Sequence, residues 1–146
     1  MTCPEIEEFL VTYSESYKPV STEWRTASMM KQDEQDSCEA LYDPTRAFRG
    51  CSITAVQYAS KILLIGTSGG HVYGYCVRSS RDLTTLQLNQ PDFTLGESAS
   101  TYGYHQPVTS VSVSKLDRET ATVRILIHYS DKLIVVSKRL SNIGYF

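Results

Sequence analysis

The first chemistry to consider in this 146-residue sequence is that of a serine nucleophile. Gly66-Thr67-Ser68-Gly69-Gly70 matches the pattern G-x-S-x-G, in which the serine lies on a sharp turn between a strand and a helix. Such a serine attacks an acyl carbon when a histidine takes its proton and an acidic residue orients that histidine. One hypothesis is therefore a small hydrolase that uses Ser68.

The residues around Ser68 disfavour this hypothesis without excluding it. In chymotrypsin-like proteases the histidine precedes the serine, whereas all three histidines of this sequence follow Ser68. In α/β-hydrolases a helix follows the serine, but residues 72–77 (VYGYCV) are aromatic and β-branched and predict a strand. Asp92 or Asp117, together with His128, would still satisfy the chain order of that triad.

Histidines and cysteines lack the spacing of metal sites. The three histidines lie 34 and 23 positions apart, and no H-x-E or H-x-x-x-H pattern occurs. The four cysteines are separated by 35, 13 and 25 positions, so no C-x-x-C pair exists. We expect neither a metal nor a cofactor, and we expect reduced cysteines.

Composition indicates a folded protein without a membrane segment. Hydrophobic residues make up 41% and charged residues 21% of the chain, near globular averages. The longest aliphatic runs, such as 62–65, are far shorter than the roughly 18 apolar residues of a membrane helix. The N-terminus is acidic, unlike a signal peptide, and no cluster of basic residues indicates nucleic-acid binding. We therefore expect a cytoplasmic protein that neither inserts into membranes nor binds nucleic acid.

Charge divides the chain into two segments. Residues 1–50 carry ten acidic and five basic side chains, net −5, whereas residues 51–146 carry six acidic and nine basic ones, net +3. Residues 29–39 (MMKQDEQDSCE) have no apolar periodicity and predict a mobile loop. We therefore predict that residues 1–50 form a largely irregular acidic segment, with 8–13 (EFLVTY) as one short strand.

Residues 51–146 consist of short β-branched and aromatic runs separated by turn residues, so the predicted fold class is all-β. A two-glycine turn at Gly69-Gly70 joins the second and third of these strands, because glycine readily takes the positive φ of tight hairpins. Residues 89–107 predict a long loop that is rich in turn residues. The predicted strands of the first part are 52–58, 61–66, 71–77 and, more weakly, 83–88.

A similar order of elements recurs further along the chain. Residues 108–111 (VTSV) repeat 53–56 (ITAV) at a separation of 55, and 125–127 (ILI) repeat 63–65 (LLI) at a separation of 62. Self-similarity over tens of residues is typical of repeat architectures. The sequence therefore predicts a first unit at 51–90 and a second at 108–146. A free-standing β-sandwich or barrel, with an accidental repeat, is the alternative.

The string 65–73 (IGTSGGHVY) resembles the central hairpin of a blade in WD40-like β-propellers. It is similar to a string in Roco-type leucine-rich-repeat kinases, and the propellers of some Rho guanine-nucleotide exchange factors are also similar. Tyr75-Cys76 stands where regular repeats carry W-D. The resemblance implies two or three antiparallel blades with Gly66–Gly70 as a structural turn. It also implies a non-enzymatic protein-interaction scaffold, at the C-terminal part of a larger cytoplasmic signalling protein.

Two further features concern partners. Tyr102, Tyr104 and His105 lie in the predicted long loop and form a candidate interaction surface, since aromatic residues are enriched at protein interfaces. Ser28 is a candidate phosphorylation site, because Arg25 stands at the spacing that basophilic kinases recognise. Two blades do not close a propeller, so we also expect self-association through uncovered blade faces or edges, besides a protein partner.

Overall fold

The computed structural model describes residues 6–26, 51–77, 84–96 and 106–140. Nine strands lie in these ranges, and all strand pairings are antiparallel. The prediction of an all-β fold is therefore confirmed. The strands are β1 (Ile6–Ser14), β2 (Pro19–Thr26), β3 (Ile53–Ala59), β4 (Ile62–Thr67), β5 (His71–Cys76), β6 (Phe93–Gly96), β7 (Ser110–Asp117), β8 (Thr122–His128) and β9 (Lys132–Arg139).

The strands form two sheets. The middle sheet has four strands in the order β3-β4-β5-β6, so neighbours in the chain are neighbours in space. The terminal sheet has five strands in the order β2-β1-β9-β8-β7, because the N-terminal hairpin pairs with the last strand. Phe9 of β1 lies between Trp24 of β2 and Ser137 of β9. Strands from both ends of the described chain thus share one sheet.

The prediction of a largely irregular N-terminal segment is wrong for residues 6–26. The predicted short strand is the nine-residue β1, and β2 pairs with it as a second strand. The acidic side chains indicated a solvated segment, but Glu8 is fully buried beside Arg25 and Lys138. Lys138 is 130 positions away in the chain, so local charge counts could not reveal this pairing. Residues 27–50, which include the whole predicted loop 29–39, lie outside the described residues.

The fourth strand of the middle sheet is also misplaced in the sequence-based prediction. The described residues of the predicted strand 83–88 are not in a strand, and β6 instead lies inside the predicted loop 89–107. Leu86 and Leu88 pack against the middle sheet on the side away from the terminal sheet. The Tyr75 hydroxyl donates a hydrogen bond to the Leu88 carbonyl. Leu86 and Leu88 therefore belong to a segment that covers the middle sheet, not to one of its strands.

One hydrophobic cluster joins the two sheets. It contains Leu64 and Val72 from the middle sheet together with Ile125 and Val136 from the terminal sheet, all fully buried. β3 and β7, the first strands of the two meanders, also contact each other. The two sheets therefore bury their facing surfaces against each other, an arrangement that blades of a propeller and layers of a β-sandwich share.

Within the middle sheet, a neighbouring side chain lies very close to the backbone at Gly74. It is paired with Phe93 of β6, and a Cβ atom at Gly74 would overlap the Phe93 ring. The ring therefore lies directly over the glycine, where no larger residue fits without movement.

We expect Gly74→Ala to lower the free energy of unfolding by about 1–3 kcal/mol, since the added methyl must displace a buried ring. Chemical denaturation followed by circular dichroism measures this change. Gln57→Ala, at an exposed position of β3, serves as the control and should change stability little. Adding Phe93→Leu to Gly74→Ala should cost less than the sum of the two single changes, and full additivity would contradict the contact.

Candidate interaction surface

The glycine-rich string forms the connection between β4 and β5. Gly70 has a φ of 87°, which favours glycine, and its N–H donates to the Thr67 carbonyl at 3.1 Å. A Cβ atom at Gly69 would lie 2.8 Å from the sulfur of Cys51. Glycine is therefore favoured by the conformation at Gly70, and a larger residue at Gly69 would have to displace the Cys51 side chain.

Ser68 takes part in the backbone hydrogen bonds of this turn. Its hydroxyl oxygen accepts from the Ser52 N–H at 3.0 Å, and its own N–H donates to the Ser52 carbonyl at 2.9 Å. The residues that follow form the strand β5. A strand-to-helix elbow, which the hydrolase hypothesis requires at Ser68, is therefore not formed.

The same turn also connects the middle sheet to residues beside the terminal sheet. The Val108 N–H donates to the Thr67 carbonyl at 3.1 Å, and a Cβ atom at Gly66 would lie 2.6 Å from Val108. The buried Tyr129 hydroxyl donates to the Gly70 carbonyl, and burial raises the pKa of this phenol. Tyr129 therefore links the β8–β9 turn to the β4–β5 turn as a neutral donor.

We expect Tyr129→Phe to destabilise the protein by about 1–2 kcal/mol, because the Gly70 carbonyl would lose its buried donor. Tyr17→Phe removes the same hydroxyl from a side chain that is 71% exposed, and it should leave stability unchanged. Thermal denaturation of both variants measures the difference. Equal melting temperatures for Tyr129→Phe and the unmodified protein would contradict this role.

The residues of the predicted interaction loop and the predicted phosphorylation site are not among the described residues. Tyr102, Tyr104, His105 and Ser28 lie outside the described residues. Within the described ranges, no group of three histidine, cysteine or carboxylate residues could hold a metal ion. A candidate surface in the described part of the chain must therefore consist of other residues.

Among the described residues, large hydrophobic side chains are exposed in two places. The first, here called the β3 patch, consists of Ile53, Val56 and Tyr58, which are 48%, 59% and 49% exposed. The second, here called the hairpin patch, lies on the N-terminal hairpin and consists of Phe9, Tyr17, Val20 and Trp24. Exposed hydrophobic residues are ordinary when scattered, but contiguous groups mark interaction sites.

The β3 patch lies next to a hydrophobic cluster that other residues of the chain already cover. Strand register places Val56 beside Ile65 and Tyr58 beside Leu63 on β4. Ile65 belongs to a second buried cluster, which contains Tyr73, Tyr75 and Val77 and packs against Leu63, Leu86 and Leu88. The middle sheet therefore has one apolar outer face that is covered at β4 and β5 and open at β3.

The hairpin patch shares the outer face of the terminal sheet with charged side chains. Trp24 and Phe9 are cross-strand neighbours, and the same row continues through Ser137 to Arg124 and Lys115. Arg124 and Lys115 are exposed. The outer face of the terminal sheet thus changes from aromatic at β1 and β2 to cationic at β7 and β8.

A buried charge cluster holds the N-terminal hairpin to β9. Arg25 of β2 donates from Nη1 to Glu8 Oε2 at 3.0 Å, and Lys138 Nζ lies 3.7 Å from Glu8 Oε1. Burial raises the pKa of the Glu8 carboxyl, and the Lys138 and Arg25 charges oppose that rise. Glu23 binds the Arg25 guanidinium from its more exposed side, with 3.2 Å between Oε1 and Nε. The Glu8 carboxylate is therefore shared by two cations, one on each of the two strands that flank β1.

We expect Glu8→Gln to lower the free energy of unfolding by about 3 kcal/mol, because two largely buried cations would lose their common counter-charge. Glu119→Gln makes the same change at an exposed turn position and should have little effect. Urea denaturation of the two variants measures the contrast. Similar stabilities for both would show that the cluster does not hold the hairpin.

Sequence reasoning missed both the charge cluster and the hairpin patch. The only available signal was the alternation of Val20, Thr22 and Trp24 after a short polar turn, which indicates a second strand of a hairpin. The described residues contain no helix long and apolar enough to cross a membrane. Comparison with protein-family models, with curated proteins and with solved structures found no match to this chain.

Proposed function

We propose that this chain is a non-enzymatic protein-interaction module whose partner binds the β3 patch. The observation that carries the proposal is the exposure of Ile53, Val56 and Tyr58 at the open side of an otherwise covered apolar face. Binding there would remove three half-exposed hydrophobic side chains from water. Tyrosine also supplies the kind of rigid aromatic anchor on which many interfaces depend.

We also propose that the two sheets are propeller-type blades. Three observations support this: each sheet contains an antiparallel meander, the first strands of the two meanders contact each other, and the sheets share one hydrophobic cluster. An edge strand with an exposed outer face, such as β3, fits a blade that still has a neighbour to bind. The resemblance of residues 65–73 suggests a larger cytoplasmic signalling protein as the source of such blades.

The proposed binding surface is tested by matched charge substitutions on β3. Val56→Asp places a carboxylate in the patch, whereas Gln57→Asp places one at the adjacent exposed position of the same strand. Proteins that co-purify with the unmodified chain are identified, produced in pure form and titrated against all three proteins. We expect Val56→Asp to weaken binding at least about tenfold, an effect of 1.4 kcal/mol or more, and Gln57→Asp to leave it nearly unchanged.

Two results would contradict the proposed function. Equal affinity of a purified partner for Val56→Asp and for the unmodified chain would place binding elsewhere. Covalent labelling by a fluorophosphonate probe that disappears in Ser68→Ala would instead identify a serine nucleophile.

A further inference from the structure

Two positively charged side chains lie opposite each other on the outer face of the terminal sheet. Strand register pairs Lys115 of β7 with Arg124 of β8, and both side chains are exposed. Neither of them forms an ion pair or a side-chain hydrogen bond with another described residue. Like charges directly opposite each other are unfavourable in an antiparallel pair. The pair therefore needs a physical explanation.

An irregularity in β7 produces this pair. The register of β7 against β8 shifts between Val113 and Lys115, so Ser114 is an extra residue in the strand. A regular register would place Ser114 opposite Arg124 and would turn Lys115 towards the core. Bulges of this kind change the direction of side chains and are common beside functional sites. Here the bulge brings a second cation to Arg124, while Leu116 packs against the core.

The two cations border a shallow depression on the same face. Its other lining residues are Asp117, Thr120, Thr122 and Ser137. Ser137 of β9 is the cross-strand neighbour of Arg124 on the side away from Lys115. Ammonium, guanidinium and hydroxyl donors therefore stand in one row across three adjacent strands.

The single acidic side chain in the lining of this depression is bonded to the β7–β8 turn. Asp117 Oδ1 accepts from the Glu119 N–H at 3.0 Å and from the Thr120 N–H at 3.4 Å. Aspartates that form turns in this way use their charge on backbone donors. The lining has two basic side chains and one acidic side chain, net +1. The depression therefore favours an anion.

A phosphate group matches these donors better than a carboxylate does. A guanidinium has five N–H donors in a fixed fork, an ammonium group has three, and a hydroxyl adds one more. A carboxylate offers two oxygens in one plane, whereas a phosphate monoester offers three acceptor oxygens and carries a charge of about −1.5 to −2 at pH 7. One phosphate can therefore accept from Lys115 and Arg124 together and still face the Ser137 hydroxyl.

We infer that Lys115, Arg124 and Ser137 form a phosphate-binding site on the outer face of the terminal sheet. A bound phosphate replaces the repulsion between the two cations by the attraction of both to one anion. The site lies on the terminal sheet, whereas the β3 patch lies on the middle sheet. The inference is therefore independent of the function proposed above.

The test is a titration of the full chain with inorganic phosphate, followed by amide chemical shifts in NMR at an ionic strength held constant with chloride. Lys115→Gln and Arg124→Gln each remove one cation of the pair, whereas Lys18→Gln removes an exposed cation between β1 and β2. We expect saturable shifts around residues 115 and 124 in the unmodified chain. The dissociation constant should rise at least about tenfold in the first two variants and stay nearly unchanged in the control.

Thermal melts separate ligand binding from a structural role of the pair. In phosphate-free buffer Lys115→Gln should melt no lower than the unmodified chain, because it removes a like-charge contact. Added phosphate should then raise the melting temperature of the unmodified chain more than that of Lys115→Gln, since only a ligand that binds the folded state stabilises it. Equal stabilisation of both by phosphate would overturn the inference.

An end-blocked Gly-phosphoserine-Gly peptide, beside its unphosphorylated form, distinguishes the source of the phosphate group. Tighter binding of this peptide than of inorganic phosphate would assign the site to phosphorylated proteins, and weaker binding would assign it to a free phosphate. Either result supports the site. The absence of saturable phosphate binding, or an equal loss of affinity in Lys18→Gln, would overturn it.

Discussion

The architecture depends on the pairing of β1 with β9, which places strands from both ends of the described chain in one sheet. Glu8 holds this pairing from within, because its carboxylate is shared by Arg25 on one neighbouring strand and Lys138 on the other. A buried carboxylate is unfavourable without such partners. The cluster therefore favours one arrangement of the hairpin over others, since any shift by one residue would move Glu8 to the opposite face.

The position of the hairpin determines which surfaces remain open. With β1 beside β9, β2 is the last described strand on that side of the sheet, and its Val20 and Trp24 are exposed. In the middle sheet, the apolar side chains of β3 stay exposed, because Leu86 and Leu88 cover only β4 and β5. The described part of the chain therefore has two separate hydrophobic surfaces.

Sequence patterns predicted the local structure well where strands follow each other directly. The stretch from β3 to β5 and the centre of β8 were predicted, because short apolar runs beside turn residues are decisive there. Leu86 and Leu88 were misread, since a leucine that covers a sheet has the same spacing as one within a strand. The buried charge cluster at Glu8 could not be predicted, because it joins residues that are far apart in the chain. Exposure of Val56 likewise depends on where the covering segment ends.

The most direct test of the whole arrangement is amide hydrogen exchange of the full chain, followed by mass spectrometry. Amides that bond within a packed sheet open only rarely, whereas those of unstructured segments exchange freely. If the N-terminal hairpin is part of the terminal sheet, the amides of β1 should exchange as slowly as those of β8. Exchange of β1 at the rate of an unstructured peptide, beside a protected β8, would contradict the account.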